Sequence, residues 1–420
     1  MKEYSVFIFY HKNNRNSFRA LLGALEKYDL IDFFDFYFPK NFDEFFKILE
    51  EKQKFYKFSF VLFSLMTTQF IEWKENLERI KNYRVLKLAG GPHTSGLPLS
   101  LLEFFDFLFY GEGEESLPVF LKNFIENRDY KNTKGVIYKE DGKIFINKSK
   151  GFIDLNEFPV FSKKLCKYGP IEITRGCIFG CKYCQVSYFM GKNLRHRKIE
   201  IILGWVEELF KSKMKDIRFI TPNAFSYGSY KKGEINIDAI YNLLYQVRNI
   251  VKKEGRIFFG SFPSEVRPDY INDEVIRIVK EFCDNKNIVI GCQSGSERVL
   301  EYIRRGHDLS CVLNAVEKVK KYGFVPIVDF IIGFPEERSE DLKKTIDFSL
   351  KLMEKGCIVH FHYFMPLPAT PFWNKKSSFI EKNFFKNLGK YTKEGKLFGS
   401  FEKQYEYSKR IREMFELKME

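Results

Sequence analysis

The chain contains 420 residues, of which 45% are hydrophobic and 17% aromatic, and this is enough apolar material for two hydrophobic cores. Its formal net charge is +14, and because residues 1–160 hold 23 basic and 23 acidic side chains, the whole excess lies in residues 161–420. Apolar runs fall short of the roughly 18–20 residues that cross a bilayer, and the N-terminus lacks the pattern of a signal peptide, so we expect no membrane span and a cytoplasmic location.

The eight cysteines do not indicate a disulfide framework, since none precedes Cys166 in so long a chain. The basic half of the chain is compatible with a polyanionic substrate such as RNA. A lysine-rich, solvated surface explains the same charge equally well.

The first part of the chain alternates apolar strand patterns with amphipathic helix patterns. Strands are predicted at residues 4–10, 33–38, 58–65, 85–89 and 107–110. Helices are predicted between them at residues 17–27, 43–53, 68–82 and 99–105. This alternation predicts an α/β fold with a doubly wound parallel sheet, whose ligand edge is formed by the loops that follow the strands.

Three of these loops carry small and polar residues: Ser64-Leu-Met-Thr67, Gly90-Gly91-Pro92-His93 and Gly111-Glu-Gly-Glu114. They resemble the loops of the cobalamin-binding domains that are fused to many radical S-adenosylmethionine enzymes. The resemblance covers about residues 1–127 and implies a Rossmann-like, cobalamin-binding-type domain. It further implies that the cofactor is contacted by Ser64, Thr67, Gly90 and Gly91.

The loop after the first strand departs from that family. Cobalamin domains that ligate cobalt through histidine carry Asp-x-His-x-x-Gly there, whereas this chain reads His11-Lys-Asn-Asn-Arg-Asn16. Either the domain binds cobalamin without a histidine below the cobalt, or it keeps the fold without the cofactor. His11 and His93 fit the role of loop histidines better than that of metal ligands.

Residues 128–165 are predicted as a connector. Two apolar runs within residues 135–146 flank Asp141-Gly142, which is the signal of a β-hairpin with a tight turn. A second domain is expected to begin at residue 166.

Three cysteines fall within eight residues at the start of this second domain: Cys177, Cys181 and Cys184. Three thiolates are one ligand short of a closed zinc or iron–sulfur site, which implies an open metal position. The alternative is a zinc knuckle that takes a fourth ligand from elsewhere, such as His196 or Cys166.

This cysteine loop resembles the cluster loop of the radical S-adenosylmethionine superfamily. In that superfamily three cysteines hold a 4Fe–4S cluster, and the open iron binds the amino and carboxylate groups of S-adenosylmethionine. Tyr183 matches the aromatic position just before the last cysteine. The resemblance implies both cofactors, and an electron donor such as ferredoxin or flavodoxin as a partner.

Strand and helix patterns alternate regularly after the cysteine loop. Strands are predicted at residues 170–174, 216–220, 256–260, 287–291, 326–332 and 358–364, with helices at 200–210, 237–252, 273–282, 310–322 and 339–353. About six β/α units over residues 166–373 predict a partial (β/α)6 barrel of the TIM type, with its active site at the carboxyl ends of the strands.

The segment Gly291–His307 resembles the one with which methylthiotransferase-like radical S-adenosylmethionine enzymes bind their cosubstrate. The resemblance implies that Gln293, Ser294 and Ser296 contact the ribose, since hydroxyl and amide groups suit ribose hydroxyls. It implies that Arg305 binds the methionyl carboxylate, for which an arginine fork is suited. A charge at the end of a helix is the alternative role for Arg305.

Further candidates lie at other strand ends. Residues 329–337 extend the resemblance to the adenine pocket of the family, and Asn223 is a candidate contact for the methionyl amine. Glu265 either lines the pocket or caps a helix. His360 and His362 share one face of the last strand by its two-residue period and are candidate proton carriers.

These features together predict a radical enzyme that cleaves S-adenosylmethionine to a 5′-deoxyadenosyl radical. The N-terminal domain favours methyl transfer to an unactivated carbon with the participation of cobalamin. One alternative is methylthiolation or another radical modification of tRNA, although such enzymes carry three N-terminal cysteines and this chain has none before Cys166. The other alternative is a non-catalytic iron–sulfur protein that binds RNA or senses redox state. Residues 374–420 are predicted to form a basic helical tail.

Overall fold

The structure is a computed structural model that describes residues 2–149, 151–378 and 389–415. The chain divides into two compact units, Met1–Gly169 and Pro170–Glu420. Within these described ranges, no helix is both long and apolar enough to pass through a membrane.

The N-terminal unit alternates strands and helices as predicted. Its strands are β1 (Tyr4–Ile8), β2 (Phe34–Tyr37), β3 (Phe58–Ser64), β4 (Leu86–Gly90), β5 (Phe107–Phe109), β6 (Val136–Glu140) and β7 (Lys143–Ile146). Its helices are α1 (Arg15–Lys27), α2 (Phe42–Lys52), α3 (Thr67–Ile80), α4 (Pro92–Gly96) and α5 (Gly113–Ile125). The helix predicted at residues 99–105 is instead a short 3-10 turn, Pro98–Leu101. The Ser100 hydroxyl donates to the Leu97 carbonyl there and competes with helical hydrogen bonding.

The strands form one seven-stranded sheet in the order β2-β1-β3-β4-β5-β6-β7. Strands β1 to β5 are parallel, with Tyr4 of β1 beside both Phe34 and Phe58. Such strands are buried on both faces, and Val6 and Phe7 are accordingly both fully buried. The strand order reverses between β1 and β3, and ligands of doubly wound sheets bind in the crevice at that point.

The hairpin predicted in the connector continues this sheet. Strand β6 pairs antiparallel with β5, and β7 pairs antiparallel with β6. Asp141 and Gly142 have φ values of +48° and +76°, which the tight turn requires. Because Val136 and Tyr138 are buried in the core of this sheet, the segment is an integral part of the N-terminal unit.

The second unit contains the remaining elements. Its strands are β8 (Ile171–Glu172), β9 (Thr174–Arg175), β10 (Arg195–His196), β11 (Asp216–Ile220), β12 (Arg256–Phe258), β13 (Asn287–Gln293), β14 (Val325–Ile332), β15 (Ile358–Tyr363) and β16 (Leu397–Phe398). Its helices are α6 (Val186–Phe189), α7 (Ile199–Lys211), α8 (Ile237–Val251), α9 (Asp273–Phe282), α10 (Glu297–Tyr302), α11 (Leu309–Lys321), α12 (Ser339–Glu354) and α13 (Phe401–Met414).

The barrel strands run parallel in two groups, β8-β11-β12 and β13-β14-β15-β16. A parallel bridge between Val266 and Ile290 joins the two groups. Six strands therefore follow one another in the predicted order, which confirms the partial (β/α)6 barrel. Asn236, Asn272 and Asp308 cap α8, α9 and α11 by accepting hydrogen bonds from backbone amides of the first turn.

The C-terminal part of the chain packs on the last barrel strand. Strand β16 extends the sheet beside β15, and Ile411 of α13 is fully buried. Gln404 of α13 accepts a hydrogen bond from the backbone amide of Tyr363 over 2.8 Å. Of the predicted tail, residues 379–388 and 416–420 lie outside the described residues.

Candidate active site

The carboxyl ends of the barrel strands surround a cavity of about 430 Å³. Its wall is formed by the cysteine loop, by the segments that follow β11, β12 and β13, and by the ends of β14 and β15. The lining residues include Cys177, Phe179, Cys181, Tyr183, Cys184, Thr221, Asn223, Pro263, Glu265, Arg267, Gln293, Arg305, Asp329, Ile331, His362, Phe364, Leu367 and Gln404. The cavity thus combines thiols, arginines and carboxylates with an apolar side.

The cysteine loop has a backbone that only glycine permits at its start. Gly176 has a φ of +91°, and a Cβ there would lie 2.3 Å from the carbonyl oxygen of Asn193. The loop therefore turns sharply after β9 and brings Cys177, Cys181 and Cys184 to the wall of the cavity. All three thiols are free of disulfides.

This donor set fits a three-thiolate metal cluster. Burial raises the pKa of Cys184 to about 12, so its thiol stays neutral until a metal ion replaces the proton. His196 does not offer a fourth zinc ligand, because both of its ring nitrogens are engaged, with Thr174 Oγ1 at 2.9 Å and the Ser229 carbonyl at 2.7 Å. The Cys166 thiol donates to the Lys163 carbonyl over 3.4 Å, and its role as a fourth ligand stays a prediction.

Arg305 lies against the cysteine loop with its donors largely in use. Its Nη2 donates to the Gly291 carbonyl over 2.7 Å, and its Nε lies 3.2 Å from Nε2 of His307. Its Nη1 lies 3.8 Å from Sγ of Cys181 and 3.5 Å from the Tyr183 hydroxyl. The guanidinium therefore places a positive charge beside the sulfur of Cys181.

Arg267 also lines the cavity, although it was not predicted from the sequence. It is 3% exposed, and its Nε and Nη2 donate to the Asp269 carboxylate while Nη2 also donates to the Arg305 carbonyl over 2.7 Å. Its Nη1 is buried with no hydrogen-bond partner. The neighbouring Asn223 accepts from the Arg267 backbone amide through Oδ1, and its Nδ2 is likewise buried and unpaired.

Two buried, unpaired donors on residues that line the same cavity are costly unless a ligand satisfies them. A carboxylate suits the pair, because it accepts several hydrogen bonds and balances the arginine charge. The sequence signal for Arg267 was the run Arg-Pro-Asp after β12, in which the aspartate two residues on fixes the guanidinium.

Gln293 stands at the β-bulge that ends β13 and lines the cavity. Its φ of +82° is unusual for a residue with a side chain and is typical of functional sites. Ser294 and Ser296 do not line the cavity with it. They are 0% and 1% exposed, the Ser294 hydroxyl lies 3.2 Å from that of Thr345, and the Ser296 hydroxyl donates to Asp341 over 2.6 Å. The structure thus assigns the two serines to fastening this loop onto α12.

Two carboxylates face the cavity, Glu265 and Asp329. The Glu265 side chain lines the cavity, and the next α-helix, α9, is capped by the side chain of Asn272, so Glu265 does not cap that helix. Burial, and next the nearby Asp329 carboxylate, raise the pKa of Glu265, while Arg305 opposes the shift. Glu265 is therefore suited to hold a proton near neutral pH.

His362 lines the cavity as a neutral imidazole. Burial lowers its pKa to about 4. The Gln404 amide nitrogen lies 3.2 Å from Nδ1 of His362, while the Gln404 carbonyl oxygen accepts from the backbone amide of Tyr363. Because this second bond fixes the orientation of the amide, Nδ1 of His362 is the acceptor and its proton lies on Nε2.

His360 lies next to His362 on the same face of β15, with ring centroids 4.0 Å apart. Its Nδ1 lies 3.0 Å from Oδ1 of Asp329, and its ring stacks on Phe398 at 4.1 Å. Among the described residues that line the cavity, His362 is present and His360 is not. Of the two predicted proton carriers, only His362 therefore meets the cavity directly.

In the N-terminal unit, the predicted cofactor side chains are buried and bonded internally. Ser64 is 6% and Thr67 2% exposed. The Thr67 hydroxyl lies 3.1 Å from Nδ1 of His93, and Nε2 of His93 lies 3.2 Å from the Ser100 hydroxyl. Burial lowers the pKa of His93 to about 4, and with both nitrogens engaged this histidine serves the loop structure.

The predicted glycines form the turn after β4. The Leu65 amide donates to the Gly90 carbonyl over 2.8 Å. Gly91 has a φ of +98°, and a Cβ there would lie 2.7 Å from the Leu65 nitrogen. Gly91 is therefore required for the close approach of two loops at the carboxyl edge of the sheet.

The crevice between β1 and β3 is bridged by side chains. Asn14, which is 3% exposed, donates to the Ser64 carbonyl, and the Gln69 amide donates to Asn14 Oδ1 over 2.7 Å. This places a hydrogen-bonded network at the point where ligands of such sheets bind.

Residues 171–349 match the family model of the radical SAM superfamily. An uncharacterised methyltransferase of Pyrococcus horikoshii is 29% identical over 308 residues, which cover 70% of this chain and 63% of that protein. A putative methylthiotransferase of Methanocaldococcus jannaschii is 29% identical over 313 residues, which cover 71% and 66%. A tRNA-2-methylthio-N(6)-dimethylallyladenosine synthase of Clostridium perfringens is 29% identical over 254 residues, which cover 59% and 51%. The chain thus spans less than two thirds of the length of each of these curated relatives.

Two solved structures share the fold. One is the radical S-adenosylmethionine methyltransferase TsrM of Kitasatospora setae, solved with cobalamin and a 4Fe–4S cluster, with a TM-score of 0.67 at 16% sequence identity. The match covers 88% of this chain and 74% of the TsrM chain. The cobalamin-dependent S-adenosylmethionine radical enzyme OxsB, solved with aqua-cobalamin and S-adenosylmethionine, has a TM-score of 0.63 at 16% identity, with coverages of 83% and 52%. At such identities the likeness concerns the fold.

Proposed function

We propose that this chain, whose residues 171–349 match the family model of the radical SAM superfamily, is an enzyme that uses a 4Fe–4S cluster and S-adenosylmethionine to methylate an unactivated carbon. The observation that carries the proposal is the convergence of Cys177, Cys181 and Cys184 with the unpaired donors of Arg267 and Asn223 on one cavity. A structural cluster needs no such donors beside it.

The three cysteines would hold the cluster. When bound and reduced, it supplies the electron that cleaves S-adenosylmethionine to methionine and a 5′-deoxyadenosyl radical. The residues of the chain bind and orient the cosubstrate: Arg267 and Asn223 offer donors to its carboxylate, and Gln293 offers its amide to the ribose. The apolar wall around Ile331 and Phe364 excludes water from the reacting groups.

We also propose that the N-terminal unit binds cobalamin as the methyl carrier. Support comes from its strand order, from the backbone turn at Gly91, and from solved proteins of this fold that contain cobalamin. His93 is sealed in the loop by Thr67 and Ser100, so the corrin would be bound without this histidine below the cobalt.

Methylthiolation of tRNA is the second candidate, because relatives with that name match 59% of this chain and residues 161–420 carry the whole net positive charge. In that case RNA would be the substrate. For either activity, a ferredoxin or flavodoxin would supply the electron, and a reducing compartment such as the cytoplasm would protect the cluster.

The test begins with anaerobic reconstitution of the full chain with iron, sulfide and hydroxocobalamin, followed by desalting and measurement of iron and corrin. The proposal expects about four irons and one corrin per chain, and release of 5′-deoxyadenosine or S-adenosylhomocysteine from S-adenosylmethionine after reduction. If the protein holds four irons and cleaves S-adenosylmethionine but binds no corrin, tRNA would be tested next as the substrate. Four irons without turnover of S-adenosylmethionine would favour a non-catalytic iron–sulfur protein.

A further inference from the structure

Three potential metal ligands meet on two neighbouring strands of the barrel. Asp329 of β14 is paired in register with His360 of β15, and His362 follows two residues later on the same face. One ligand atom from each of the three side chains lies within 4.8 Å of the others. These residues fall outside the cysteine loop, and both histidines lie beyond the residues that match the radical SAM superfamily.

The spacing suits a single ion. Ligand atoms bound at about 2.0–2.2 Å from a tetrahedral ion lie roughly 3.3–3.6 Å from each other. Asp329 Oδ1 and His360 Nδ1 are 3.0 Å apart, and the two imidazole rings are in contact. If Asp329 Oδ1 and His360 Nδ1 moved slightly apart and the His362 side chain rotated, all three ligands would surround one ion.

We propose that Asp329, His360 and His362 form a mononuclear site for a divalent transition metal such as Zn²⁺. Two histidines and one carboxylate are a ligand set used for zinc and non-haem iron, and they leave at least one coordination position open. Because Asp329 and His362 line the cavity, that position opens toward it. The ion would bind an oxygen or nitrogen atom of the substrate, so we expect a substrate that carries such an atom.

Gln404 of α13 competes with the ion. The lone pair of the neutral His362 lies on Nδ1, where the Gln404 amide now donates over 3.2 Å, so a metal ion that takes this lone pair displaces the amide. A glutamate at this position still accepts from the backbone amide of Tyr363, offers no N–H to His362, and adds a negative charge near the ion. Gln404→Glu should therefore strengthen metal binding.

The test uses the full chain with its 4Fe–4S cluster in place, so that the cysteines are occupied. The protein is dialysed anaerobically against buffered free Zn²⁺ alone, and zinc and iron are counted together by mass spectrometry. We expect one zinc per four irons. Asp329→Asn, His360→Gln and His362→Gln should each weaken zinc binding at least 10-fold, while His11→Gln of the N-terminal unit serves as the matched histidine control.

Gln404→Glu guards against misfolding, because a damaged barrel cannot bind zinc more tightly than the wild-type chain. Tighter binding by this variant, together with loss in the three ligand variants, supports the site. Absence of zinc binding, or zinc binding that the three ligand variants leave unchanged, would overturn it. Iron content and S-adenosylmethionine binding are measured on the same samples, so failure of the metal site is distinguishable from failure of the cluster assignment.

Discussion

The guanidinium of Arg267 lies over the ring of Phe179, with its central carbon 3.6 Å from the ring centroid. Phe179 stands inside the cysteine loop, between the first and second cysteines, so a residue from the segment that follows β12 is packed against the cysteine loop. The contact is a cation–π interaction in a buried setting. It couples the position of the unpaired Nη1 to the position of the cluster thiols.

Replacement of Arg267 by glutamine should weaken binding of S-adenosylmethionine by about 10- to 100-fold, because hydrogen bonds to a charged group contribute about 1.5–3 kcal/mol. The measurement is equilibrium dialysis of the cosubstrate against oxidised, cluster-loaded protein. Arg256→Gln is the control, since Arg256 forms an exposed ion pair with Asp216 and does not line the cavity.

A retained iron content of about four per chain is expected in Arg267→Gln, because the cysteines are unchanged. Normal cosubstrate binding in Arg267→Gln, combined with loss of binding in Arg305→Gln, would contradict the assignment. That result would indicate that Arg305 binds the methionyl carboxylate of S-adenosylmethionine, as the sequence resemblance implied.

Replacement of Cys177 by alanine should reduce iron from about four to less than one per chain, since two thiolates cannot retain a 4Fe–4S cluster. The measurement is iron and acid-labile sulfide after anaerobic reconstitution. Cys311→Ala is the matched control, because Cys311 is a partly buried free cysteine on α11. Equal loss of iron in both variants would show that the cluster depends on general folding and not on the loop.

Candidate residues that are defined by local spacing were visible in the sequence, and their roles stay predictions. The three cysteines and Tyr183 are close in the chain, so their pattern was visible without the structure. The two-residue period of β15 likewise placed His360 and His362 on one face. The strand and helix alternation was sufficient for both α/β folds, because each element buries its own periodic face.

The roles that were missed depend on residues far apart in the chain. Ser296 is bound by Asp341, 45 residues downstream, so its turn away from the cavity could not be deduced from its own segment. The tautomer of His362 is fixed by Gln404, 42 residues downstream in a helix outside the recognised motifs. Arg267 Nη1 is buried without a partner only in the folded chain, so no sequence pattern could predict this state.

Replacement of Gly91 by alanine should destabilise the N-terminal unit by more than about 2 kcal/mol. Gly91 has a φ of 98° and a ψ of −178°, a region that is essentially restricted to glycine and costs another residue about 1–3 kcal/mol, and a Cβ 2.7 Å from the Leu65 nitrogen adds a steric clash. Gly142→Ala separates the two effects, because Gly142 has a φ of +76° but a Cβ there meets nothing within 4 Å. Urea unfolding should therefore show a larger loss for Gly91→Ala, and equal losses would contradict the steric argument.

The stability of the N-terminal unit should fall as the pH drops from about 6.5 toward 4, because of His93. Its side chain is 0% exposed, and burial lowers its pKa from 6.5 to about 4. The unfolded chain therefore binds a proton in this range that the folded chain does not. The stabilising contribution is fully present above pH 6.5 and is lost toward pH 4, amounting to at most about 3 kcal/mol.

Trp73 reports on this unit, and the changes Trp205→Phe and Trp373→Phe leave it as the only tryptophan of the three in the chain. The free energy of urea unfolding, followed by its fluorescence, should decline below pH 6.5 in this background. His93→Gln should flatten the decline, because glutamine does not titrate and still offers hydrogen bonds to Thr67 and Ser100. An unchanged pH dependence in His93→Gln would show that other groups govern the acid sensitivity of the unit, His11 among them, since burial also lowers its pKa.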